Sequence, residues 1–320
     1  MSMPKQHLSE HSSPAHMHMQ DWLLIAALSF VWGISFFFIK IALKGFSPLT
    51  IVFGRVLTAS LALNLILRMR GEKLPRSWKD WRHFLVISIF NNVIPFTLIA
   101  WAGTQISSGL TSILNASAPL WAVLIAHFYN NEKITSLKSI GMLLGFGGVS
   151  VMIGVESLSG IGMNTLAQLG MLVATFSYAA SGAYTQRVKQ QYSPTLLATG
   201  QVTVSTVIMF VLMALIDQPW LKPMPSLASW GAVIELGLVG TTIAYLIYFK
   251  VLRSAGASNA LLTTFMIPVT ALFFGIVFLG ESLQYYHFIG MALIAGGLLA
   301  IDGRVLKFFK KAPEKEPLTP

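Results

Sequence analysis

The 320-residue chain has no cysteine and little charge: Asp, Glu, Lys and Arg together make up 11% of it. Without cysteine there is no disulfide, no thiolate nucleophile and no thiolate metal ligand. The scarcity of charge excludes more. A soluble domain carries about 25% charged residues, and a surface drawn from less than half that share cannot hold a globule in water, so a water-soluble enzyme is excluded. The chain also lacks a glycine-rich phosphate loop, an H-E-x-x-H or a G-x-S-x-G segment, and acids paired inside an apolar stretch. Neither nucleotide use nor hydrolytic chemistry is indicated.

What the chain has in abundance is apolar length. Ten stretches stand out, at 22–39, 49–67, 83–101, 106–127, 139–155, 166–184, 195–216, 229–249, 257–279 and 285–301. Each has the roughly 20 residues that a helix needs to cross about 30 Å of hydrocarbon. Apart from Arg55 and Glu235, every charged residue lies outside them. The net charge of +10 therefore sits in loops and tails and does not point to nucleic acid. The expectation is an all-α integral membrane protein of ten transmembrane helices, with the lipid bilayer as its obligatory partner. The start shows no basic segment, short apolar core and small-residue cleavage site in sequence, so 22–39 is read as a span. Residues 1–21, with His7, His11, His16 and His18, read as a disordered polar tail rather than a metal site, and 303–320 as a basic tail.

With the N-terminus in the cytoplasm, only Lys40, Lys44 and Lys222 among the loop and tail cations fall on the outer side. The positive-inside rule then places both termini in the cytoplasm. The chain also repeats itself. Pro119 aligns with Pro268, Glu132 with Glu281, Ile140-Gly141-Met142 with Ile289-Gly290-Met291, and Gly147-Gly148 with Gly296-Gly297. Earlier in each half, Ser47-Pro48 aligns with Ser193-Pro194, Gly54 with Gly200, and Trp32 with Tyr178. Two five-helix units result, 22–155 and 166–302. An odd helix number inserts the second copy upside down, and inverted repeats build alternating-access transporters.

Several runs carry a family resemblance: Asn91-Asn92-Val93-Ile94-Pro95-Phe96, Ser108 through Ala116, Pro119-Leu120, Ala126-His127-Phe128, Trp32-Gly33 and Arg55. Over 22–302 the chain resembles the EamA branch of the drug/metabolite transporter superfamily. The resemblance implies two inverted five-helix repeats, with a central cavity built from helices 1–4 and 6–9 and helices 5 and 10 at the periphery. It also implies export of amino acids, drugs or other metabolites from a bacterial inner membrane. Pro95 departs from symmetry, because its repeat partner is Ala244.

Candidate site residues follow from polarity at membrane depth. Pro95, Pro119 and Pro268 leave the carbonyls of Asn91, Asn115 and Thr264 without their helical donors. Such groups must be partnered by protein or line a watered cavity; kinks repaired by neighbouring hydroxyls are the alternative. Asn91 and Asn92 point about 100° apart, so one of them faces inward, as ligand group or as interhelical hydrogen bonder. Trp32, Tyr178 and Tyr245 are aromatic candidates for the cavity wall, whereas Trp101 and Tyr184 suit an interfacial belt. Arg55, ~9 Å inside its span, either snorkels outward, pairs with Glu235, or grips a substrate carboxylate. Glu235 either sits at a favourable helix N-terminus, partners Arg55, or carries a coupling proton.

The leading reading is a small-molecule exporter using alternating access. The alternatives are an intramembrane enzyme, for which the spans offer only Arg55, Glu235 and His127, and a scaffold, which would have no use for an inverted repeat. No catalytic residue, metal or cofactor is expected, and no nucleotide or nucleic acid partner. A homodimer through the glycines of helices 5 and 10 is open but not implied.

Overall fold

The computed structural model describes residues 18–130, 134–157, 162–255, 257–260 and 262–302. The tails expected at 1–21 and 303–320 thus lie largely outside the described residues, as does Glu132. The described residues are helical over most of their spans, and we number ten long helices: α1 Met19–Leu43, α2 Pro48–Met69, α3 Trp78–Ala102, α4 Ser108–Tyr129, α5 Ser136–Ser157, α6 Met163–Val188, α7 Pro194–Leu212, α8 Leu227–Ser254, α9 Leu262–Leu279 and α10 Tyr285–Asp302. Among the described residues, nine helical stretches are long and apolar enough to cross a membrane. The other helix, α6, has 26 residues but buries Thr165, Gln168, Thr175, Ser177 and Ser181, which lower its hydropathy.

Local chemistry sets the ends. Ser107, Ser193 and Ser226 precede α4, α7 and α8, and each hydroxyl accepts from a backbone N–H of the first turn. Pro48 and Pro194 occupy first-turn positions where no N–H is needed. Polar first turns extend several helices beyond their apolar stretches. α1 begins at Met19 rather than 22, with Asp21 accepting from the His18 backbone N–H at 3.0 Å.

Packing is reciprocal between the halves. α1 lies on α9, and its equivalent α6 lies on α4; α2 meets the first part of α8, and α7 the first part of α3. The equivalents α2 and α7 meet each other, as do α5 and α10. Exchanging the repeats exchanges the contacts. α5 and α10 approach backbone to backbone: a Cβ added at Gly297 would fall 2.4 Å from the Gly141 carbonyl oxygen, and one at Gly148 2.6 Å from that of Gly290. They form a pair at the edge, where only 28% of each apolar window is buried, against 50% for α3 and 56% for α4. α9 is also only 28% buried, so it presents more of itself to lipid than its equivalent α4.

Both α3 and α8 contain a wide π turn, at Ile89–Val93 and Leu238–Ile243, in equivalent places of the two repeats. The sequence suggests such an irregularity only in α3, through Pro95. α8 reaches it without a proline: Thr241 and Thr242 hydroxyls donate to the carbonyls of Leu236 and Gly237, five residues back, at 2.8 and 3.0 Å. The reverse holds at the aligned prolines of α4 and α9. α4 is interrupted between Asn115 and Ala118, ahead of Pro119, whereas α9 runs through Pro268 unbroken. Ser117 accounts for the difference, since its hydroxyl donates to the Leu114 carbonyl at 2.7 Å and meets the Thr175 hydroxyl at 3.1 Å. The equivalent residue in α9 is Met266, which has no donor.

The contacts at the two ends of the bundle sort cleanly. At the end where the chain enters and leaves, Arg70 donates to Thr195, Ser193 to Glu72, and Tyr192 to Asp80. At the opposite, distal end, the turn between α3 and α4 is clasped from both sides. Lys40 Nζ donates to the carbonyls of Gly103 and Ile106, both at 2.7 Å. The Glu281 carboxylate accepts from Ser108 N at 2.7 Å, Ser108 Oγ at 2.8 Å and Gly109 N at 3.2 Å. A cation thus meets a helix C-terminus and an anion a helix N-terminus, each favoured by the helix dipole. Replacing Glu281 with Ala is expected to lower stability by about 1–2 kcal/mol, the usual worth of a helix cap, with the loss read as a lower melting temperature in detergent or nanodiscs; an unchanged melt contradicts the clasp.

Candidate functional site

At mid-bundle the two π turns place polar groups where α2, α3, α6, α7 and α8 meet. Arg55 reaches from α2 across to α8: its Nε donates to Thr241 Oγ1 at 2.9 Å and its Nη2 to the Gly240 carbonyl at 3.2 Å. A π turn leaves a carbonyl without its usual helical donor, and the guanidinium takes it. Gly237 makes this crossing close, since a Cβ there would lie 2.7 Å from the Arg55 carbonyl oxygen. The guanidinium lies over the Phe96 ring, 3.8 Å from its centroid. On the other wall, Ser177 of α6 donates to the Phe90 carbonyl in the π turn of α3, at 2.8 Å.

A hydrogen-bonded relay fills the space beside Arg55. Asn91 Nδ2 donates to Gln201 Oε1 at 2.9 Å and to the Tyr245 hydroxyl at 3.0 Å. That hydroxyl donates to Asn92 Oδ1 at 3.0 Å, and Asn92 Nδ2 donates to Ser205 Oγ at 2.9 Å. Ser205 is tied in turn to the Gln201 carbonyl at 2.7 Å and to Ser88 Oγ at 2.8 Å. Both asparagines therefore face protein partners. Arg55, Asn92, Gln201, Ser205 and Thr241 are all buried.

Charge in this space is unbalanced. Arg55 is 8% exposed, and it donates to Thr241 and Gly240 through Nε and Nη2, leaving Nη1 without a protein acceptor among the described residues. Tyr178, Tyr245 and Glu235 lie within its electrostatic reach. Glu235 Oε2 is nevertheless buried with no hydrogen-bond partner among the described residues. The guanidinium does not snorkel out of the bundle; its bonds hold it inward.

The other candidates fall apart from this group. Trp32 packs at a 45° tilt against Tyr248, ring centroids 5.7 Å apart, and against the main apolar core. Asn115 turns Oδ1 into the protein, where it has no partner among the described residues, and joins none of the relay. Thr264 is half-buried; its neighbour Thr263 is the residue aimed at α1, its carbonyl accepting from Ser29 at 3.3 Å. Pro119 and Pro268 are buried, with Pro119 alone at a helix break. Sequence reasoning passed over Gln201, Ser205, Ser88 and Thr241. One signal was available for Gln201, which follows Gly200 as Arg55 follows the aligned Gly54.

A bundle of paired five-helix halves with polar groups buried where the halves cross defines a membrane transport protein. The model of the EamA-like transporter family matches residues 21–154 and again 165–301, and the chain belongs to that family. It is similar to the uncharacterized transporter YoaV of Bacillus subtilis, 23% identical over 86% of this chain and 94% of the relative. It is also similar to the uncharacterized inner membrane transporter YedA of Escherichia coli K12, at 24% identity over 86% and 88%. A solved crystal structure shares the fold, with a TM-score of 0.64 at 17% identity over 92% of this chain and all of that one.

The relay is testable by itself. Tyr245→Phe removes one hydroxyl and leaves both asparagine side chains short of a partner, which is expected to cost about 1–3 kcal/mol. The double variant with Asn92→Leu should cost less than the sum of the two single changes, as coupled neighbours do; strict additivity in denaturation midpoints would contradict a shared network.

Proposed function

We propose that the protein exports small metabolites bearing a carboxylate, amino acids or close relatives, by alternating access across a bacterial inner membrane. Both termini are cytoplasmic in this reading, and the units 22–155 and 166–302 are inverted copies that open the site to each side in turn. The single observation that carries the proposal is the Arg55 guanidinium, buried with Nη1 open and tied only to neutral acceptors. A cation at membrane depth costs at least about 2.5 kcal/mol without a partner. Neutral acceptors reduce that cost, and an incoming carboxylate supplies the missing charge in a two-pronged contact. Asn91, Asn92, Tyr178 and Tyr245 form the surrounding wall, with Trp32, Asn115 and Thr264 further along the passage and Pro95 and Pro119 shaping it. The proline-spanning helix α9, with Pro268, moves with α1.

Glu235 is the coupling acid in this scheme. It shares the electrostatic environment of Arg55 and holds a buried oxygen without a donor, a position that a proton or a substrate ammonium group would satisfy. The relatives are named as transporters, and no step here is an enzymatic one.

Transport per unit of membrane protein tests this directly. Arg55→Ala should abolish carboxylate export at normal abundance. Arg55→Lys should recover little, because an ammonium cannot reproduce a bidentate guanidinium contact. Glu235→Gln should transport down a substrate gradient yet no longer respond to a pH gradient. Wild-type export by both arginine variants would refute the assignment of Arg55.

A further inference from the structure

Arg55 and Gln201 stand at equivalent places in the two repeats, each one residue after an aligned glycine, Gly54 or Gly200. Each crosses to the π turn of the opposite repeat. Arg55 bonds to Gly240 and Thr241 of α8, and Gln201 to Asn91 of α3. Both are buried, 8% and 5% exposed. Each also keeps one nitrogen without an acceptor among the described residues: Nη1 of Arg55 and Nε2 of Gln201.

The relay fixes which way the Gln201 amide points. Asn91 Nδ2 donates to Gln201 Oε1 and to the Tyr245 hydroxyl, which donates onward to Asn92 Oδ1, while Asn92 Nδ2 is committed to Ser205. With its oxygen taken, Gln201 can offer only its N–H₂. Tyr245 lies one turn, ~6 Å along the helix, beyond the Thr241 that holds Arg55, so the relay separates a charged donor from a neutral one.

We propose that Gln201 is the neutral pole of the ligand site and selects metabolites that carry an uncharged hydrogen-bond acceptor, a hydroxyl or amide oxygen, at the end away from the carboxylate. This rests on the reading of Arg55 as the carboxylate's partner. A carboxylate alone satisfies one open donor; a ligand with both groups satisfies two. The repeat supplies the geometry, and the change from arginine to glutamine between its copies supplies the polarity.

The test uses the purified full-length protein in nanodiscs and binding measured with matched probes that differ chiefly in the distal acceptor: serine with alanine, asparagine and glutamine with their aliphatic counterparts 2-aminobutyrate and norvaline. In the wild type, at least one acceptor-bearing probe should bind about tenfold more tightly than its partner, the scale on which a lost hydrogen bond is felt. In Gln201→Leu the ratio of the two affinities should collapse to about onefold, and in Arg55→Ala both affinities should fall together. Gln201→Asn, which keeps an N–H₂ donor, should retain part of the preference and guards against a folding defect in the leucine variant. A preference unchanged in Gln201→Leu, or both probes weakened equally there, overturns the proposal and leaves the carboxylate reading standing. Failure of every probe to bind the wild type overturns that reading and this one with it.

Discussion

The contact between the Arg55 guanidinium and the π turn of α8 organises the centre of the molecule. A buried cation needs acceptors, and an unbroken α-helix offers only carbonyls that already accept one bond each. The wide turn at Leu238–Ile243 releases the Gly240 carbonyl, and Thr241 adds a hydroxyl beside it. Gly237 permits the approach of α8 to α2 that makes both bonds reachable. Packing, backbone irregularity and charge at this point depend on one another, so a change in any of them disturbs the rest.

The repeat places a matching device on the other wall and then varies it. Gln201 replaces Arg55, and the amide of Asn91 stands where Gly240 offers a carbonyl. The π turn of α3 contains its freed carbonyl at Phe90, served by Ser177 of α6. Similar divergence separates α4 from α9: Ser117 stabilises a break for which Met266 has no means. The architecture is close to two-fold, while the chemistry at its centre is polar in one direction.

Much of this fold was legible in the sequence because the solvent imposes it. Hydrocarbon demands apolar length, and the ten stretches between charged loops match the ten helices, with the ends shifted where polar first turns such as Trp78-Lys79-Asp80 extend past the apolar core. Arg55 and Glu235 were conspicuous as the charges inside spans. The π turn of α8 was not legible, since Ala244 replaces the proline that marks α3 and the threonine bonds that replace it are conformational. The grouping of Asn91, Asn92, Tyr245, Gln201 and Ser205 was equally hidden. These partners lie far apart in the chain, and no local spacing reveals which face of one helix meets which face of another. The prolines are uneven markers, since α4 is interrupted ahead of Pro119 whereas α9 runs through Pro268.

Access to the centre from the two membrane faces is the most direct measure of this account. Thr97 lies one residue beyond the phenylalanine under Arg55, with its hydroxyl against Met209 Sδ at 3.8 Å. Since the chain has no cysteine, Thr97→Cys provides a single thiol on α3, next in sequence to the ring beneath Arg55. In sealed membrane vesicles of each orientation, a membrane-impermeant maleimide should label it slowly from either face, and saturating substrate should protect it from both. Labelling from one face only, or labelling that substrate leaves untouched, would contradict a central site exposed alternately to the two sides.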